Sequence, residues 1–126
     1  MKRMIGAIAA STIGAALLLA PTAAAKDGDV RVAGTCTKAT TSKLKLSEED
    51  GAIEVEFEVD QNRNGVRWSV VLFRNGAEVA RRIRVTRGPS GSFEARVVTG
   101  NSQGVDRFVA RATRVGERCS ASASFA

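Results

Sequence analysis

The chain has 126 residues, with 19 Lys and Arg against 13 Asp and Glu, two cysteines, and no histidine or tyrosine. That length admits one domain around one core, and the missing histidine removes the commonest general base and the commonest metal ligand. The net charge of +6 is mild and its charges are interspersed along the sequence, so composition gives no ground for expecting a nucleic-acid partner.

Met1-Lys2-Arg3 is a short positive segment, and Met4 to Ala20 is an apolar run. Pro21 breaks it, and Ala23-Ala24-Ala25 supplies the small residues of a cleavage site. Residues 1–25 therefore read as a helical secretory signal peptide, cut before Lys26. A permanent anchor fits less well, because this run is at the short limit for a span and rich in Ala and Gly. The expected product is residues 26–126, secreted and extracellular, with no membrane attachment after cleavage. Without Lys2 and Arg3 it keeps 17 basic and 13 acidic residues, a net of +4.

From Asp29 onward the chain reads as short strands with turn chemistry between them. Val30 and Val32 alternate with Arg31 in a first strand running to Cys36, and Leu44 and Leu46 alternate with Lys43 and Lys45 in a second. After Glu48-Glu49-Asp50-Gly51, the run Ile53 to Val59 alternates apolar residues with Glu54, Glu56 and Glu58, as a strand with one dry and one wet face does. Asp60 to Gly65 is a loop. Val66 to Arg74 follows, holding the only tryptophan and closed by Asn75-Gly76, a type I′ hairpin signal. A period of two places Trp68, Val70 and Leu72 inward with Phe57, Phe93 and Phe108 around them, and Val71 and Phe73 outward. In the next strand, Ala77 to Arg87, we expect Val79, Ile83 and Val85 on the core side. Phe93 to Val98, Asp106 to Val115 and Cys119 to Phe125 complete the set. No segment has a helical period. The expected fold is an all-β, seven- to eight-stranded antiparallel β-sandwich.

The succession Gly91-Ser92-Phe93, Gly104-x-Asp106 and Phe108-Val109-Ala110-Arg111-Ala112 resembles the last three strands of immunoglobulin-like and fibronectin type III-like domains. The whole mature chain is similar to small exported proteins of high-GC Gram-positive bacteria that carry one such domain and no assigned activity. The resemblance implies an immunoglobulin-like sandwich and carries no function of its own. Two features depart from the antibody pattern. Without tyrosine there is no tyrosine corner, and the cysteines would join the first and last strands.

Cys36 and Cys119 are the only cysteines, and in an oxidising compartment a lone pair is most simply a disulfide. Closing so long a loop is worth about 4.5 kcal/mol in the chain-entropy treatment. Two thiolates alone make no zinc site, and no C-x-x-C spacing supports redox chemistry.

Asp60-x-Asn62-x-Asn64-Gly65 reproduces the first half of a calcium loop, which makes Asp60, Asn62 and Asn64 a weak candidate site. The twelfth position is Val71 where a bidentate Glu is needed, and these residues form turns without any ion. No cofactor is expected. Serine lacks a nucleophile elbow, and Glu54, Glu56 and Glu58 read as a wet face matched by Lys43, Lys45 and Arg96 rather than as an acid–base pair. The protein is expected not to be an enzyme.

Two surfaces remain. Arg82 and Arg84, read as outward, would grip phosphate or an acidic wall polymer; the plainer reading is that charge on an edge strand blocks aggregation. Val71, Phe73, Val109 and Arg111, with Ser69, Ser120, Ser122 and Ser124, form an outer face read as poor in charge and apolar at its centre. That is a candidate contact face for a homodimer or an envelope protein. The expected function is an exported non-catalytic binding or structural module at or outside the cell envelope. The alternatives are a polyanion binder using the Arg81–Arg87 strand, or a small inhibitor or ligand carrier.

Overall fold

The computed structural model describes residues 28–101 and 103–126; the expected signal peptide over residues 1–25 lies outside them. The described residues form nine antiparallel strands in two sheets. These are β1 (Val30–Ala33), β2 (Thr35–Cys36), β3 (Thr41–Glu49), β4 (Ala52–Asp60), β5 (Arg67–Arg74), β6 (Ala77–Val85), β7 (Ser92–Gly100), β8 (Asp106–Arg114) and β9 (Glu117–Phe125). One sheet has the order β1-β3-β4-β7 and the other β2-β9-β8-β5-β6. Leu44, Leu46, Val55 and Phe57 of the first sheet face Trp68, Val70, Leu72, Phe108 and Ala110 of the second, and all are buried. The all-β sandwich and the phase of the Trp68 strand are as the alternation dictates. Trp68 is 1% exposed, with the Phe93 ring 6.2 Å away.

The strand count is nine because the first expected strand divides at Gly34. Residues 30–33 pair with β3 of one sheet, and Thr35 and Cys36 pair with β9 of the other. A Cβ on Gly34 would sit 2.3 Å from Ser42 Oγ and 2.6 Å from the Ser120 carbonyl, so only glycine passes between the sheets here. This crossing closes one side of the sandwich. It also sets Cys36 directly opposite Cys119, where the two form the disulfide. Two-residue turns with both φ values positive join β3 to β4 (Asp50-Gly51) and β5 to β6 (Asn75-Gly76).

One expectation is corrected. Ile83 and Val85 face outward at 45% and 37% exposure, while Arg82 and Arg84 face inward at the edge of the core and are half-buried. A bulge is the cause. The register runs Phe73↔Glu78 and then Leu72↔Ala80, which leaves Val79 as one extra residue on β6. Without it Ile83 would oppose Trp68. With it Arg84 does, and every later side chain of the strand changes face.

Candidate functional site

The outer face of the four-stranded sheet is a ladder of ion pairs. Lys43 opposes Glu58, and Lys45 opposes Glu56. Their ammonium groups lie 3.3 and 3.7 Å from those carboxylates, and Arg96 is paired with Glu54 and lies 3.8 Å from Glu56. Glu54 is buried rather than wet, held by Arg96 and by the Ser47 hydroxyl. Glu94 stands directly opposite Glu58. Burial first, and then the charges of Glu56 and Glu58, push its carboxyl above the ordinary range.

The outer face of the five-stranded sheet differs. Since Trp68, Phe108 and Cys119 point inward, the alternate residues point out, and the register aligns them in rows. One row reads Arg81, Val71, Arg111, Ser120 and Thr35, and the next reads Ile83, Ser69, Thr113 and Arg118. Arg67 and Arg107 lie on the same face at either end. Of the exposed arginines here, Arg81 is paired with Glu78 at 2.7 Å. Arg67, Arg107, Arg111 and Arg118 have no carboxylate partner among the described residues. The sequence-based picture of a face poor in charge is therefore corrected.

Its apolar centre is also narrower than expected. Val71, Phe73 and Val109 are half-buried, and the Arg111 guanidinium lies 5.2 Å over the Phe73 ring. Ile83 and Val85, turned out by the bulge, extend the apolar stripe toward the sheet edge. Sequence reasoning placed Val71, Phe73, Val109 and Arg111 together, and the structure brings these four onto adjacent strands. It missed Arg67, Arg107 and Arg118. The signal was present, since all three fall in the outward phase once Trp68, Phe108 and Cys119 are set inward.

Arg82 and Arg84 serve the edge. Thr86 N–H donates to the Val66 carbonyl at 2.9 Å, so alternate groups of β6 face β5 and the carbonyls of Arg81 and Ile83 point to the free edge. Arg82 Nη1 donates to the Arg81 carbonyl at 3.1 Å, and Arg84 Nη1 donates to that of Ile83 at 3.0 Å. Arg84 Nε also reaches across to the Glu94 carbonyl of β7 at 3.2 Å. The guanidinium groups thus cover acceptors that an added strand would need, and lace the two sheets together on the side opposite Gly34.

At one end of the sandwich a buried polar cluster surrounds Glu117. It accepts from Thr40 Oγ1 at 2.6 Å, Arg114 Nη1 at 2.8 Å and Gln61 Nε2 at 3.1 Å, while Gln61 Oε1 accepts from Trp68 Nε1. The Thr40 bond, and then Arg114, hold the Glu117 carboxyl below the ordinary range despite burial. Beside it an open groove of about 600 Å³ is lined by Arg63, Arg67, Thr113 and Val115. The Asp60 loop is fastened from within the chain. Asp60 Oδ1 accepts the Asn62 N–H at 3.1 Å, Thr86 Oγ1 donates to the Arg63 carbonyl, and Asn64 lies against Gly88. Among the described residues no three His, Cys, Asp or Glu side chains group in a way that would hold a metal. The chain matches no protein-family model, no curated protein and no solved structure.

Proposed function

We propose that the protein is an exported, non-catalytic binding module with an immunoglobulin-like sandwich, acting at or outside the cell envelope. Its working surface in this reading is the outer face of the five-stranded sheet. The observation that carries it is the placing of unpaired arginines around a half-buried apolar stripe on one face, while Asp29, Glu54, Glu56 and Glu58 on the other have cationic neighbours. Export is supported by the signal-peptide pattern over residues 1–25 and by the Cys36–Cys119 bridge, since disulfides persist in oxidising compartments. The non-catalytic reading is supported by the absence of histidine and by a Glu117 carboxylate whose oxygens are both engaged by donors. The alternative in which Arg82 and Arg84 grip an anion is weakened by their bonds to edge carbonyls.

The test is Phe73→Glu. It should leave the fold intact and abolish both self-association by sedimentation velocity and co-sedimentation with envelope fragments, whichever the unaltered chain shows. Equal behaviour of the two proteins would remove this face from consideration.

A further inference from the structure

On the reading that this face is the working surface, we infer that its ligand is a linear phosphate-bearing polyanion without bases. Three observations carry this. First, the outward cations here are all arginines, while Lys43 and Lys45 stand on the opposite sheet among carboxylates. The planar guanidinium presents paired donors that match phosphate, and it is more weakly hydrated than an ammonium group.

Second, the arginines are strung out in neighbouring pairs rather than gathered at one point: Arg111 shares one hollow with Arg118 and another with Arg107. Arg107 and Arg111 are four residues apart on β8, roughly 13 Å at the rise of an antiparallel strand. Arg118 and Arg67 lie on the strands either side of β8. No single small anion touches such a set, whereas an extended polymer meets them in turn. Thr113, Ser120 and Ser122 border the same hollows, and their hydroxyls add donors along the track.

Third, no aromatic ring on the face is open for stacking. Trp68 is buried, and Arg111 already covers the Phe73 ring. Single-stranded nucleic acids depend on such open rings for a large share of their affinity, so the polymer is one whose recognition rests on its charges.

The test titrates the full-length chain with long-chain inorganic polyphosphate by calorimetry at several salt concentrations. Binding should weaken linearly in log Kd against log salt. The double variant Arg107→Gln, Arg118→Gln alters two side chains without ion pairs, and circular dichroism should report an unchanged fold. It should bind roughly tenfold more weakly, with the slope reduced by about 0.7 for each arginine removed. Lys43→Gln, on the opposite face, should bind as the unaltered chain does. Poly-glutamate and a single-stranded oligonucleotide of matched charge are the comparison arms, and both should bind more weakly than polyphosphate. Equal or tighter binding to poly-glutamate would overturn the phosphate preference, and equal or tighter binding to the oligonucleotide would overturn the exclusion of bases. No polyphosphate binding, or loss with Lys43→Gln instead, would overturn the inference. If polyphosphate fails while the Phe73→Glu effect persists, the ligand is misassigned and the face is not; if both fail, the face falls as well.

Discussion

On the four-stranded sheet Glu54, Glu56 and Glu58 each meet a cation on a neighbouring strand, whereas on the five-stranded sheet Arg67, Arg107, Arg111 and Arg118 meet no carboxylate among the described residues. Both faces arise from the same alternation of residues along strands of similar length. Exposed pairs of the first kind are each worth little, in the range of about 0–1 kcal/mol, but together they neutralise Glu54, Glu56 and Glu58, leaving Glu94 opposite Glu58 without an ion pair of its own among the described residues. Like charges on the second face repel one another, and apart from the Arg111 contact with the Phe73 ring they make no charge pairing among the described residues that would offset it. A face whose charges are matched is explained by folding. A face whose charges are unmatched asks for something outside the molecule.

That contrast can be broken from the core outward. Trp68→Ala should destabilise the chain by about 3–5 kcal/mol in denaturant unfolding, because both faces rest on the layer that contains it. A loss under 1 kcal/mol would mean that the sheets do not pack through Trp68.

Next comes the buried acid beneath the end of the five-stranded sheet. Glu117 titrates below the ordinary carboxylate range in the folded chain, so its contribution to stability is present above that range. It is lost as pH falls through the folded value. Thr40→Val removes the largest cause of the shift and should cost about 1.5–3 kcal/mol at neutral pH. The gap between variant and unaltered protein should narrow as pH drops below about 4; a gap constant with pH would show that Glu117 is not the group involved.

The smallest effects are the most direct comparison of the faces. Glu54→Gln should cost about 1 kcal/mol, since it replaces a buried carboxylate with a neutral amide and leaves Arg96 without its charged acceptor. Arg107→Gln should cost less than about 0.5 kcal/mol, as a surface change away from any ion pair. Thermal unfolding of the two side by side decides it, and equal losses would erase the distinction drawn between matched and unmatched charge.

Much of this was legible in the residues. Alternation in Ile53–Val59 and around Trp68 set the phase of β4 and β5, Asn75-Gly76 marked its hairpin, and the pairing of Glu56 and Glu58 with Lys45 and Lys43 followed from adjacency. The inward turn of Arg82 and Arg84 was not legible. It depends on one extra residue at Val79, and Val-Ala within a strand carries no compositional mark of a bulge. The crossing at Gly34 was hidden for a related reason: a lone glycine inside an alternating run signals close approach without saying to what. The charged character of the candidate face was hidden by reading charge along the chain. Interspersed in sequence, the acids of β4 and the unpaired arginines of β5, β8 and β9 gather on different outer faces because register, not sequence distance, decides which residues share a face.

In this reading the outer face of the five-stranded sheet does the binding. Mapping amide chemical-shift changes in the isotope-labelled chain during a polyphosphate titration tests it most directly. The changes should gather at Arg67 and Ser69, along Arg107 to Thr113 and at Arg118 to Ser122, with Glu54 to Glu58 silent. Changes centred on the four-stranded face, or on the Arg82 and Arg84 edge, would contradict it.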